Sequence, residues 1–108
     1  MAQLLDFARQ ACEGAGLAFS AYGHLGDGNV HSNVLCRDAQ ERQRGLDVRT
    51  QIVRQALALE GTVTGEHGIG LAKREQLSWE QGPEVLGLQV AIKRQFDPLG
   101  LMNPGKAF

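Results

Sequence analysis

The chain has 108 residues with 11 basic and 12 acidic side chains, a formal net charge of -1. The length is enough for a hydrophobic core without disulfides, and the absence of a basic run argues against nucleic acid as a partner. No stretch approaches the ~20 apolar residues of a membrane span, and the N-terminus does not resemble a secretory signal. Together these features predict a cytoplasmic protein.

The first third of the chain predicts a helix followed by a hairpin. Apolar residues recur at helical spacing over residues 3–15, which predicts an amphipathic helix. Apolar and polar residues then alternate over residues 17–22, and again over 30–36, which predicts two strands. Asp27-Gly28 between these strands is typical of a two-residue hairpin turn.

A second helix is predicted from a capping box. Asp38 followed by Glu41 is the pattern of a helix start, and the helix is expected to run to about Glu60. Its apolar residues form a broad stripe expected to be buried, made up of Leu46, Val48, Ile52, Val53, Ala56, Leu57 and Leu59.

The last part of the chain predicts a brief β segment at 62–64, a short helix over 71–77 and a clearer helix from Pro83. Four apolar residues are expected on one face of this last helix: Val85, Leu88, Ile92 and Phe96. Proline and glycine then predict turns at 97–100 and 103–106.

These elements predict an α+β fold with a small antiparallel sheet and about four helices. A lone hairpin is marginally stable and leaves its outer edges unpaired. We therefore expect further strands from a missing part of the chain or from another copy, and self-association of the fragment on its own.

A glycine-rich motif at residues 23–31, GHLGDGNVH, carries one histidine near each end. If Asp27-Gly28 is a two-residue turn, His24 lies directly opposite His31 with Cβ atoms ~5 Å apart, close enough to bind one metal ion. The alternative is that both histidines are satisfied by backbone or water. Asp27 and Asn29 are interpreted as turn-formers, since both residue types tolerate left-handed backbone.

A second glycine-rich motif, GEHGIG at residues 65–70, pairs Glu66 with His67. On extended backbone adjacent side chains point to opposite sides, so the two cannot easily bind the same ion. One of them can complete a metal site with His24 and His31, and the other is left as an acid or base. The alternative is a turn with a solvated glutamate and histidine.

The two motifs, followed by FDPLGLMNPGK at residues 96–106, resemble in order and spacing the C-terminal end of FAD-linked 2-hydroxyacid oxidoreductases. This group of the vanillyl-alcohol oxidase superfamily includes the glycolate oxidase FAD subunit, D-lactate dehydrogenase and D-2-hydroxyglutarate dehydrogenase. The resemblance implies that residues 1–108 are a single C-terminal fragment of the cap or substrate domain. Residues 1–80 would be its metal and substrate part, and residues 81–108 the helix and turn that return to the flavin domain.

The resemblance also implies roles for individual residues. A divalent metal, zinc or manganese, would be held by His24, His31 and Glu66, and His67 would be the catalytic base. The terminal turn would bring two cofactor-binding residues, Asn103 and Lys106, to the FAD of the intact enzyme.

The implied reaction is the oxidation of a small 2-hydroxy acid, of the glycolate or D-lactate type, to the 2-oxo acid with hydride transfer to FAD. The implied partners are the missing N-terminal FAD-binding domain, an electron acceptor and further subunits. The fragment alone is expected to be inactive and not to bind FAD, because it has no strand-loop-helix that cradles phosphates.

Two other functions are open from the residues alone. One is a non-catalytic metal-binding fragment or module. The other is a metal-dependent hydrolase with the same two histidines and glutamate, although the helical H-E-x-x-H pattern of zinc proteases is missing.

Overall fold

A computed structural model describes all residues 1–108 and has the predicted α+β architecture, with four helices and one two-stranded antiparallel sheet. In chain order the elements are α1 (Ala2–Gly14), β1 (Ala18–Tyr22), β2 (His31–Leu35), α2 (Ala39–Ala58), α3 (Arg74–Glu80) and α4 (Pro83–Phe96). The chain divides into two units, Met1–Glu66 and His67–Phe108. None of the helices combines the length and hydropathy that crossing a membrane requires.

The core of the first unit lies where α1 and α2 pack together and against the hairpin. Its buried residues are Ala8, Cys12, Leu17, Val48 and Ile52. The buried stripe of α2 is narrower than predicted, because Leu46 and Leu59 are 47% and 38% exposed. Val48 and Ile52 are four residues apart and share one face of the helix, whereas Leu46 precedes Val48 by two and points elsewhere.

The predicted start of α2 is confirmed, since the Asp38 carboxylate accepts a hydrogen bond of 2.8 Å from the Glu41 amide. The Glu41 carboxylate reaches one residue further back than a standard capping box and accepts the Arg37 amide at 2.8 Å, together with the Arg37 guanidinium. This hydrogen bonding lowers the pKa of Glu41 to about 2. The Glu41 side chain, 6% exposed, thereby anchors the link between β2 and α2.

The predicted hairpin register is wrong by two residues. Tyr22 lies opposite His31, and the connection between β1 and β2 spans residues 23–30, with a 3-10 turn at Leu25–Asp27. The His24 carbonyl accepts the amides of Asp27 at 2.9 Å and Asn29 at 3.2 Å. Because this turn uses the backbone groups that a tight hairpin would have paired across the strands, the ladder ends at Tyr22.

The short elements predicted after α2 are located less accurately than α1 and α2. Residues 62–64 form no strand, and α3 covers Arg74–Glu80, not 71–77. The helix predicted from Pro83 is present as α4 and ends at Phe96. Its four predicted face residues are nevertheless all exposed, from 48% for Val85 to 79% for Phe96.

The C-terminal segment is held by a buried carboxylate after α4. Asp97 accepts the amides of Leu101 at 2.8 Å and Met102 at 3.0 Å, and it forms an ion pair with Lys93. The hydrogen bond from the Lys93 ammonium is the main cause that lowers the pKa of Asp97. This carboxylate fixes the chain reversal that leads into the predicted turn at 103–106.

The end of the chain returns to the second glycine-rich motif. The Ala107 amide donates to the Gly70 carbonyl at 2.8 Å. In addition, the Arg74 guanidinium lies 3.4 Å from the Gly105 carbonyl. The terminal turn and the part of the motif after Glu66 therefore belong to one hydrogen-bonded arrangement.

Candidate functional site

His31 is placed at the start of β2 by the sheet. It lies directly opposite Tyr22, and the two ring centroids are 5.1 Å apart at an interplanar angle of 35°. The His31 side chain is only 22% exposed. The strand pairing and the neighbouring ring restrict the imidazole, so its position is set by the sheet.

Glu66, the last residue of the same unit, lies next to His31. His31 Nε2 lies 3.4 Å from Glu66 Oε1, and the Glu66 side chain is 48% exposed. An imidazole nitrogen and a carboxylate oxygen this close can bind the same divalent ion. The structure thus brings together two of the three predicted metal ligands, which lie 35 residues apart in the chain.

Asn29 is a third member of this group that the sequence did not single out as functional. Its side-chain amide donates to Glu66 Oε2 at 3.0 Å, so one carboxylate oxygen faces Asn29 and the other faces His31. The sequence pattern predicts only a turn-forming role for Asn29. Asn29 contacts Glu66, which belongs to the second motif 37 residues further along the chain, so no local sequence pattern predicts this contact.

Two glycines make room for this group. A Cβ on Gly65 would lie 2.3 Å from Asn29 Oδ1. A Cβ on Gly23, whose φ is +143°, would lie 2.7 Å from the Asn29 carbonyl oxygen and 3.4 Å from His31 Cδ2. Glycine at both positions is therefore explained by close approach, and at Gly23 also by a backbone conformation that other residues rarely adopt.

His24 is not where the predicted register would put it. It precedes the 3-10 turn and is exposed. It is also absent from the cluster of ligand-type side chains that contains His31 and Glu66. The expectation that His24 and His31 are direct cross-strand neighbours is wrong, because the turn shifts the register. Its role as a metal ligand stays a prediction.

The remaining predicted site residues lie in the second unit. His67 is its first residue and is exposed. Asn103 has a left-handed φ of 51°, and its carbonyl accepts the Lys106 amide at 3.2 Å, which forms the predicted turn. The Lys106 ammonium lies 3.4 Å from the Pro104 carbonyl. The catalytic role of His67 and the cofactor-binding roles of Asn103 and Lys106 stay predictions.

Comparison with known sequences supports the resemblance drawn from the motifs. Residues 1–107 match the family described as FAD linked oxidases, C-terminal domain. The chain is 46% identical over 86 residues to a probable mitochondrial D-lactate dehydrogenase of Danio rerio, covering 78% of this chain and 17% of the relative.

Two prokaryotic relatives give the same picture. A D-lactate dehydrogenase of Archaeoglobus fulgidus is 38% identical over 108 residues, covering 97% of this chain and 24% of the relative. A D-2-hydroxyglutarate dehydrogenase of Stutzerimonas stutzeri is 36% identical over 91 residues, covering 81% and 20%. The chain thus spans less than a quarter of the length of these relatives.

Proposed function

The chain belongs to the family of C-terminal domains of FAD-linked oxidases, and we propose that it carries the metal and substrate residues of a dehydrogenase for small 2-hydroxy acids. The observation that supports this most directly is the His31–Glu66 pair, which joins the two glycine-rich motifs. Relatives named D-lactate dehydrogenase and D-2-hydroxyglutarate dehydrogenase support a D-2-hydroxy acid as the substrate class.

The chemistry of the paired side chains fits a divalent metal. Imidazole nitrogen and carboxylate oxygen suit zinc and manganese alike. We assign His31 and Glu66 as the two ligands that the fold already brings together, and His24 as the third. These residues would hold the metal, whose positive charge would lower the pKa of a substrate hydroxyl.

In this proposal His67 accepts the substrate hydroxyl proton on an imidazole nitrogen. Because His67 adjoins Glu66 in sequence, a general base directly follows a metal ligand. FAD, when bound in the intact enzyme, would supply the hydride acceptor of the reaction.

The proposed flavin contacts, Asn103 and Lys106, lie in the turn that the Ala107–Gly70 hydrogen bond ties to the motif containing His67. Within the second unit, this bond supports the view that base and flavin contacts are positioned together.

The rest of the protein is proposed to cover the exposed apolar residues of α4. Leu88, Ile92 and Phe96 are 62%, 51% and 79% exposed, and the chain is far shorter than the relatives it matches. We propose that the FAD-binding part of a longer protein packs on this face. Without that part, the same face favours self-association.

A chimera tests the proposal. This chain replaces the matching C-terminal region of the Archaeoglobus fulgidus D-lactate dehydrogenase, to which it aligns over 108 residues. We expect D-lactate-dependent dye reduction in the chimera, with about one equivalent of zinc or manganese by elemental analysis. His67→Ala should lower kcat by roughly 100- to 10,000-fold with a smaller effect on KM.

Asp27→Ala is the matched control, because Asp27 lies in the first motif and its side chain makes no hydrogen bond. It should retain metal and activity. A folded, flavin-containing chimera that reduces no dye with D-lactate, D-2-hydroxyglutarate or glycolate contradicts the dehydrogenase proposal and favours a non-catalytic module. Full activity after complete metal removal contradicts the metal site alone.

A further inference from the structure

We propose that Asn29 is a positioning residue of this site, which holds the Glu66 carboxylate in the orientation needed to share a divalent cation with His31. The inference rests on the proposed function for the cation itself. The arrangement of Asn29, Glu66 and Gly65 is part of the structure itself and does not depend on a metal.

The first argument is the division of the Glu66 carboxylate. Asn29 Nδ2 donates to Oε2 at 3.0 Å, while Oε1 lies 3.4 Å from His31 Nε2. The last torsion of a glutamate side chain has a broad energy profile, so the groups that contact its carboxylate set the orientation. A donor fixed on one oxygen restricts that rotation and keeps the other oxygen next to the imidazole.

The second argument excludes the simpler role of Asn29 as a turn-former. Asparagine favours turns because its side chain hydrogen-bonds nearby backbone or because it tolerates left-handed backbone. The side-chain amide of Asn29 donates to Glu66, 37 residues away, and not to nearby backbone. The non-glycine residues with positive φ are Glu60, Asn103 and Ala107, so Asn29 is not in that conformation. Other residue types can adopt its backbone, and the side-chain contact with Glu66 is what requires an amide.

The third argument is that Asn29 connects the two motifs through both backbone and side chain. Its backbone amide donates to the His24 carbonyl at 3.2 Å, and its side-chain amide donates to Glu66. His31 follows two residues later. A single residue thereby links the segments that carry the three proposed ligands.

The fourth argument is the fit of Asn29 against Gly65. A Cβ at Gly65 would lie 2.3 Å from Asn29 Oδ1 and 2.8 Å from its Cγ, so any larger residue would displace the amide. Gly65 has no positive φ that would itself demand glycine. Glycine at position 65 is therefore explained by the space that the Asn29 side chain occupies.

The test measures zinc and manganese affinity of the 108-residue chain by titration calorimetry. Asn29→Leu keeps the branching of the side chain and removes the donor, and Gly65→Ala displaces the amide without changing either polar residue. We expect each variant to bind metal roughly 10- to 100-fold more weakly, as for other partners that orient metal ligands. Asp27→Ala and Gly26→Ala, in the same loop, should bind like the wild type.

A second measurement needs no metal. In the metal-free chain, the side-chain amide proton shifts of Asn29 should move on Glu66→Ala and stay unchanged on Asp27→Ala. Circular dichroism verifies that each variant is folded. If Asn29→Leu does not fold, Asn29→Ala takes its place in the metal titration. Unchanged amide shifts on Glu66→Ala overturn the inference.

The two measurements separate this inference from the proposed function. If the wild-type chain binds neither metal, the proposed metal site is wrong, and the amide shifts alone decide whether Asn29 orients Glu66. If the wild type binds metal and Asn29→Leu binds it within twofold, the site stands and the positioning role is overturned.

Discussion

The glycine at position 23 gives the sharpest test of how the first motif is built. Gly23 has a φ of +143°, a region that is essentially restricted to glycine and costs other residues about 1–3 kcal/mol. An added Cβ would also lie 2.7 Å from the Asn29 carbonyl and 3.2 Å from Val30 Cα, both backbone atoms that cannot turn aside. Adding about 1–3 kcal/mol for this overpacking, we expect Gly23→Ala to destabilise the chain by about 2–6 kcal/mol.

Two glycines of the same loop calibrate this value. Gly28 has a φ of +75° but open space around it, so Gly28→Ala should cost only the left-handed backbone, about 1–2 kcal/mol. Gly26 has neither a positive φ nor an atom within 4 Å of its Cβ position, so Gly26→Ala should be neutral or stabilise by about 0.5 kcal/mol.

Urea denaturation followed by circular dichroism measures the three differences, provided that the m value is unchanged. Gly23→Ala should also weaken metal binding, since its conflict with the backbone of Asn29 and Val30 would shift the segment that leads into His31. Equal midpoints for Gly23→Ala and Gly26→Ala would refute the reasoning, because steric conflict at Gly23 is its whole basis.

Two further predictions concern buried carboxylates. The pKa of Glu41 is about 2 in the folded chain against an ordinary 4.5, so the unfolded state binds the extra proton and stability should fall as the pH decreases from 4.5 to about 2. Glu41→Gln should flatten this acid dependence in urea midpoints measured against pH, and an unchanged slope contradicts the assignment. Lys93→Met removes the counter-ion of Asp97 and should speed hydrogen exchange at the Leu101 amide, whereas Lys93→Arg should preserve protection. Equal exchange in both variants would show that the ion pair does not hold this turn.

The helices could be predicted from the sequence because their signals are local. The apolar spacing of α1 and the proline at the start of α4 each lie within the helix that they specify. Asp38 similarly caps the helix that follows it. Such signals do not depend on what the rest of the chain contacts, which is why these three helices were located to within a few residues.

The hairpin register and the role of Asn29 could not be predicted in this way. Asp27-Gly28 favours a tight turn, but the structure satisfies two amides at the His24 carbonyl and gains a 3-10 turn. The tight hairpin turn and the 3-10 turn use the same residues and differ only in their hydrogen bonds. A sequence pattern does not show which of the two sets of hydrogen bonds is more stable. The Asn29–Glu66 contact joins residues 37 apart, so no local periodicity contains it.

The α4 face shows a different limit of sequence reasoning. Helical periodicity correctly places Leu88, Ile92 and Phe96 on one face. Periodicity does not say what covers that face, and all three are more than half exposed. An amphipathic pattern indicates that a helix has a surface to bury, but it does not identify the partner that buries this surface.

The unequal placement of the proposed ligands has a consequence for metal binding. His31 is held by the sheet and by Tyr22, and Glu66 is held by Asn29, so these two require little reorganisation. His24 is exposed, and only its backbone carbonyl is fixed by the turn. Loss of His24 should therefore weaken metal binding less than loss of His31, because the ordering of His24 offsets part of what its bond contributes. Zinc titrations of His24→Ala and His31→Ala measure the two losses of affinity. A greater loss for His24→Ala would contradict the reasoning, because it would show that His24 contributes more to zinc binding than His31 does.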